Sequence, residues 1–66
     1  MIAPVYIVQC LDTFEFLCPN EDSLVGFTSY LSEAGFFYER ESALESAIEE
    51  IGEHFYIFEF LKEIND

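Results

Sequence analysis

Positive charge is nearly absent from the sequence. Against 14 aspartates and glutamates stand only Arg40 and Lys62, which gives a formal net charge of −12. Internal salt bridges can neutralise few of these carboxylates, so most must face water or a cationic partner. A surface of this sign repels nucleic acid and anionic membranes and accelerates encounters with basic surfaces. The charge therefore predicts a monomer that binds neither nucleic acid nor membranes directly and whose partner is basic.

Residues typical of catalytic sites are also scarce. The single histidine, His54, follows a predicted helix end and has no neighbouring nucleophile to activate. The three glycines are isolated from one another, which excludes a phosphate-cradling loop and a dinucleotide fingerprint. The sequence therefore predicts a protein that is not an enzyme and that uses no cofactor.

Cysteine is limited to Cys10 and Cys18, which are too few for a zinc site. They lie on the two strands of a predicted hairpin, too far apart for a disulfide, and we expect free thiols that pack as small hydrophobic residues. The calcium-loop pattern is absent, and the Glu-x-x-His motif would need a glutamate at Ile51. No metal site is predicted, although a small metal-binding protein that uses the carboxylates is an open alternative.

Long apolar runs are missing as well. Residues 5–8 fall far short of the roughly 20 residues needed to span a bilayer, and residues 1–4 lack the basic region of a signal peptide. We therefore expect a cytoplasmic protein. Hydrophobic residues nevertheless make up 52% of the sequence, with eight Phe and four Tyr, which favours a folded core over an acidic tail. The length of 66 residues predicts a single domain over residues 1–66.

The first part of the sequence has the composition of a β-hairpin. Residues 5–10 and 14–18 are rich in β-branched and aromatic side chains, and a turn-like segment at 11–13 separates them. Residues 24–31 fit either a helical stripe or a strand. Glycine and threonine within this segment weaken a helix, so we predict a third strand.

The second part predicts one helix and one strand. Ser42 and Glu45 have capping-box spacing, and Gly52 supplies a left-handed stop. The apolar stripe of this helix is Leu44, Ala47, Ile48 and Ile51. Residues 55–61 read as a strand that is apolar on both faces, so we expect it inside the sheet, followed by a polar tail. The order β-β-β-α-β predicts an α+β fold, with a small antiparallel sheet of about four strands packed by one helix.

The acidic residues of the helix are regularly spaced. Glu41, Glu45 and Glu49 recur every four residues and form a column with about 6 Å between neighbours. Like charges at this spacing weaken a helix by a few tenths of a kcal/mol per pair, a cost that interspersed lysines would avoid. A row of carboxylates also offers a basic groove a field of the same sign as duplex phosphates.

We therefore predict a partner-binding surface centred on this helix. Tyr38, Phe37 and Tyr30 are candidate aromatic anchors for the contact, and loop acids such as Asp12, Glu21 and Asp22 add to the charge. The predicted binding residues are Glu39, Glu41, Glu45, Glu49, Glu50, Glu53 and Tyr38.

The second half of the chain also carries a family resemblance. The run Leu-Ser-Glu-Ala-Gly-Phe-Phe at 31–37, Arg-Glu-Ser-Ala at 40–43 and Tyr-Ile-Phe-Glu at 56–59 resemble small phage and mobile-element proteins in which one helix packs on a sheet. With the size and charge, the chain resembles the small acidic anti-CRISPR proteins that block type I surveillance complexes, some of which act as DNA mimics. The resemblance implies inhibition of a CRISPR effector subunit by occupation of its DNA-binding or PAM-reading surface, in the cytoplasm of the host cell.

An alternative from a different class remains open. The chain also fits a small non-enzymatic interaction module, or an antitoxin-like protein, whose acidity is incidental to binding.

Overall fold

In the part of the chain that the structure describes, an antiparallel sheet is packed by one α-helix. The computed structural model describes residues 1–19 and 25–64. The elements follow in the order β1 (Ile2–Cys10), β2 (Phe16–Pro19), β3 (Val25–Thr28), a 3₁₀ turn (Leu31–Glu33), α1 (Arg40–Glu50) and β4 (Phe55–Glu63). The sheet order is β3-β2-β1-β4, with every neighbouring pair antiparallel. The predicted α+β class and β-β-β-α-β order are confirmed. The loop acids at 21 and 22 lie outside the described residues.

The β1–β4 ladder is the longest part of the sheet. It pairs all nine residues of each strand, from Ile2 opposite Glu63 to Cys10 opposite Phe55. Both strands are longer than the predicted 5–10 and 55–61, and Lys62 belongs to β4 and not to a polar tail. Backbone pairing does not require apolar side chains, so hydrophobic patterning underestimates the ends of such a ladder.

The position of β4 corrects the prediction that this strand lies inside the sheet. Among the described strands, β4 lies at the edge of the sheet and pairs with β1 alone. The apolar character of both faces of a strand does not determine how many neighbouring strands it has. Phe55 and Ile57 pack against the core beneath the helix, whereas Tyr56, Phe58 and Phe60 lie on the opposite face.

The connection between β1 and β2 is two residues longer than predicted, since it runs over residues 11–15 and not 11–13. The Phe14 amide donates to the Cys10 carbonyl at 2.7 Å, and β2 begins only at Phe16. Phe14 has a φ of 61°, in the left-handed region, which costs a residue with a side chain about 1–2 kcal/mol. Phe14 and Phe16 therefore do not belong to one continuous strand. Phe14 closes the turn, and Phe16 is the first residue of β2.

The helix begins earlier than the capping box predicts. Glu39 is the N-cap and makes no side-chain capping hydrogen bond, whereas Ser42 lies inside the first turn. The cause is the preceding segment, since Phe37 and Tyr6 exchange two backbone hydrogen bonds of 2.8 and 2.9 Å. This bridge attaches residue 37 to the sheet and leaves only two residues before α1 starts. The predicted stop at Gly52 is confirmed by its φ of 106°.

The helix contacts the sheet through alanine. Ala43 and Ala47 are fully buried against Val8 and Leu17, which form the centre of the core. Small side chains let the helix approach the sheet closely. Ile48, predicted to belong to the buried stripe, is exposed because it lies about 100° around the helix from Ala47 and about 140° from Ala43. Leu44 and Ile51 are half-buried.

Candidate acidic binding surface

The glutamates at 41, 45 and 49, hereafter the acidic column, lie on the side of α1 that faces away from the sheet. Successive helical residues are about 100° apart around the axis, which places the column about 180° from Ala43 and Ala47. All three glutamates are exposed. The helix axis advances about 6 Å between each pair, so the column extends over roughly 12 Å. It is a continuous row of carboxylates open to a large partner.

Among the described residues, no lysine or arginine is paired with a glutamate of the acidic column. Arg40 is on the sheet side of the helix, where its charge acts on the Tyr6 hydroxyl. The last turn of α1 contains no basic residue, although Glu49 and Glu50 lie there. Negative charge near a helix C-terminus opposes the macrodipole and typically costs about 0.3–1 kcal/mol per group. Glu41 lies in the first turn, where the macrodipole favours negative charge, so the unfavourable charges are those of the last turn.

The other predicted acids do not extend the column evenly. Glu39 is at the N-cap of α1 and Glu53 follows Gly52, so they mark the two ends of the helix. Glu50 lies about 140° around the axis from Glu45, towards the sheet. All three are exposed. The structure thus brings three of the six predicted glutamates into one row and distributes the others around it.

The aromatic anchors are placed differently from the prediction. Phe37 packs against the core cluster, so its predicted role as an exposed anchor is wrong. The residues on either side of it point to the other face of the sheet, where the rings of Phe36 and Tyr38 meet edge to face at 5.4 Å. Tyr38 is exposed there, away from the acidic column. Tyr30 is also exposed, and it precedes the 3₁₀ turn.

A second group of polar residues lies where the β1–β2 turn meets the start of β4. The His54 Nδ1 and Asp12 Oδ1 atoms are 3.2 Å apart, and both side chains are about two-thirds exposed. Within residues 1–19 and 25–64 this is the one contact of a carboxylate with a basic side chain, and it is an ion pair only when the imidazole is protonated. An exposed pair of this kind stabilises a fold by about 0–1 kcal/mol, and no nucleophile accompanies the histidine.

Tyr6 and Glu59 form a hydrogen bond across the β1–β4 ladder. The Tyr6 hydroxyl donates to Glu59 Oε2 at 3.1 Å. This bond raises the pKa of Tyr6 above its usual value of 10.0, and desolvation and the negative charge of Glu59 add to the shift. Each of these effects favours the neutral phenol. The stabilisation is therefore present below pH 10.0 and is lost as the pH rises through the higher pKa of the folded state.

We expect Glu59→Gln to lower the pKa of Tyr6, because the variant removes the carboxylate that opposes phenolate formation. The measurement is a phenolate absorbance titration, in which a Tyr6→Phe protein is subtracted to isolate this residue. Glu63→Gln is the matched control, since it removes a carboxylate from the same strand at a position opposite Ile2. Identical Tyr6 titrations in the Glu59→Gln and Glu63→Gln proteins would contradict the assignment of the shift to Glu59.

The two thiols are free, as predicted, with Cys10 buried and Cys18 half-buried. Hydrogen bonds from the backbone and hydroxyl of Thr13 lower the pKa of the Cys10 thiol because they stabilise the thiolate. In the part of the chain that the structure covers, no three His, Cys, Asp or Glu side chains are grouped closely enough to hold a metal ion. None of the described helices has the length and apolar character needed to cross a membrane.

Comparison with known proteins adds no relative. No protein-family model matches the chain, and no curated protein or solved structure matches it either.

Proposed function

We propose that this protein is an acidic inhibitor that occupies a basic nucleic-acid-binding surface, with a type I CRISPR surveillance complex as the expected target. The observation that carries the proposal is the acidic column, an exposed row of carboxylates directed away from the sheet with no cation in it. Lysine and arginine groups that normally hold phosphates would bind these carboxylates through charge-assisted hydrogen bonds. The protein is then a stoichiometric binding partner and performs no chemistry.

The placement of the charge favours binding over incidental acidity. Net charge of either sign keeps a protein soluble, and a surface with lysines interspersed among the glutamates would be equally soluble. Here three glutamates repel one another along one helix face, and two acids lie at the unfavourable end of the helix dipole. An arrangement that costs folding stability supports a function outside the fold. The alternative of a module with incidental acidity has no such support.

The spacing suits a groove more than a single base-reading pocket. Neighbouring carboxylates are about 6 Å apart along the helix axis, against one phosphate per 3.4 Å of axis for each strand of a duplex. The column is thus a sparse imitation of one strand over about 12 Å. A short, sparse row would cover only part of a nucleic-acid channel, which fits inhibition at the entry to such a channel.

Affinity capture tests this proposal. The full chain is immobilised and incubated with a nuclease-treated lysate of bacteria that carry a type I CRISPR system. Bound proteins are then eluted first with salt and next with duplex DNA. We expect a nucleic-acid-binding complex that is released by both, since electrostatic contacts to a phosphate-binding surface weaken with salt and compete with DNA. Capture of proteins that resist both eluents would favour the incidental-charge alternative.

A further inference from the structure

The sheet has a face that the helix does not cover. Residues directly opposite each other in an antiparallel pair share a face, so the register identifies its members. Tyr56, Phe58 and Phe60 of β4 lie opposite Gln9, Ile7 and Val5, and Phe16 of β2 lies opposite Gln9. Phe36 lies on the same face, because the Lys62 amine is 5.3 Å from the centre of its ring. Tyr38 lies there too, since its ring meets the Phe36 ring edge to face. We call this surface the open face; its members in the strands and the 36–38 segment are Ala3, Val5, Ile7, Gln9, Phe16, Cys18, Gly26, Thr28, Phe36, Tyr38, Tyr56, Phe58, Phe60 and Lys62.

The open face is an organised aromatic surface. The rings of Tyr56, Phe58 and Phe60 form a row with centroid separations of 4.8 and 6.0 Å. Tyr56 is 55% exposed, Phe60 is also exposed and Phe58 is half-buried, whereas Val5 on the same face is buried. Contiguous exposed apolar surface of this kind marks an interaction site in a soluble protein.

The open face also lacks the charge that covers the rest of the molecule. None of its members is an aspartate or glutamate, although the chain has 14, and Lys62 is its one charged residue. A basic partner of the kind that fits the acidic column would find no carboxylate among the residues of this face. The two surfaces lie on opposite sides of the sheet, so they suit different occupants. Depletion of charge with enrichment of aromatic residues is typical of interface cores.

We propose that the open face binds a second copy of this chain, so that two sheets stack face to face about a twofold axis. Each copy then supplies the apolar surface that the other needs, in the packing of a β-sandwich about 10 Å thick between sheets. Edge-to-face contacts between the two aromatic rows are the favoured geometry. The expectation of a monomer, drawn from net charge alone, does not consider where the charge is located.

The large negative charge does not prevent this dimer. The sheets would be about 10 Å apart and each helix about 10 Å behind its own sheet, so the two acidic columns would be separated by roughly 30 Å or more. That distance is several times the Debye length of about 8 Å at physiological ionic strength. The columns would point outward on both sides of the dimer and stay available to other partners.

The dimensions of the molecule are sufficient for such an interface. The molecule measures 33 × 22 × 19 Å, and nine-residue strands about 30 Å long account for the longest dimension. A face bounded by the two longer dimensions, reduced for the short β2 and β3, offers on the order of 600 Å² per copy. Two such faces bury about 1,200 Å², the lower end of the range for stable interfaces, so we expect a dimer of moderate affinity.

Two equally exposed residues provide a matched test. Tyr56 on the open face and Ile48 on the helix are each 55% exposed, and a lysine at either position changes the net charge equally. Sedimentation equilibrium of the full chain should show the mass rising from 7.7 kDa to twice that value with concentration. We expect Tyr56→Lys to raise the dimer dissociation constant by at least about 30-fold, because it places an unpaired charge in a dry interface, and Ile48→Lys to change it by less than about threefold.

Circular dichroism and thermal melting show whether each variant remains folded. If Tyr56→Lys does not fold, Tyr38→Lys replaces it, since Tyr38 lies outside the strands and is more exposed. Equal effects of the open-face and helix variants would overturn the proposal. So would a wild-type mass that stays at 7.7 kDa up to about 1 mM, where an interface of about 1,200 Å² should associate. A monomer that loses a different protein partner on Tyr56→Lys substitution would assign the face to that partner instead.

Discussion

Replacement of Glu41, Glu45 and Glu49 by glutamine is expected to abolish most of the affinity for the captured partner while leaving the fold intact. Each charge-assisted hydrogen bond is worth about 1.5–3 kcal/mol. Even if only two of the three glutamates make such a bond with the partner, their replacement raises the dissociation constant at least about 100-fold. The fold should persist because the column faces away from the core and its repulsion is removed. Titration of the partner by calorimetry, with thermal melting of both proteins, measures the two effects separately.

A second triple variant controls for total charge. Glu15, Glu33 and Glu63 lie outside α1, and their replacement by glutamine removes the same three negative charges. We expect this variant to lose less than about tenfold in affinity, mainly through slower association. The proposal would fail if the two triple variants weakened binding equally, since total charge and not the column would then govern the contact.

Leu17→Ala is expected to unfold the protein or bring it close to unfolding. Leu17 is 2% exposed and lies in the core cluster with Val8, Ala43 and Ala47. Truncation of a buried leucine to alanine costs about 2–5 kcal/mol, and a domain of this size has only a few kcal/mol of stability in total. Urea denaturation followed by circular dichroism measures the loss.

The chain offers a matched control for this substitution. Leu61 is 77% exposed, so Leu61→Ala makes the same chemical change with little loss of packing and should alter stability by less than about 0.5 kcal/mol. Similar destabilisation by both substitutions would mean that the core does not lie between β1, β2 and α1.

Local sequence signals predicted the helix and the strands better than they predicted the contacts between these elements. The strand composition of residues 5–10 and the glycine stop at Gly52 depend on short-range chemistry, and the structure confirms both. The helix start depends on a long-range contact, the bridge between Tyr6 and Phe37, and the capping-box pattern at Ser42 contains no information about it. Tertiary structure therefore decided where the helix begins.

The same distinction applies to the surfaces. The four-residue spacing of Glu41, Glu45 and Glu49 predicted one exposed row, because helical geometry is local. The open face was not predicted, although the alternation of Tyr56, Phe58 and Phe60 was visible in the sequence. Which side of β4 meets the helix is determined by packing on Ala43 and Ala47, since both of its faces are apolar. The position of Phe37 in the core was not predicted, because it too is determined by packing between distant parts of the chain.

Competition with DNA tests the central claim most directly. The captured complex is loaded with a fluorescently labelled duplex that carries its recognition sequence, and this protein is titrated in while anisotropy is recorded. We predict that the protein displaces the duplex with one inhibitor per basic site, and that its apparent dissociation constant rises in proportion to the DNA concentration. Simultaneous binding of DNA and protein, with neither affinity changed by the other, would contradict the proposal that the acidic column occupies a nucleic-acid-binding surface.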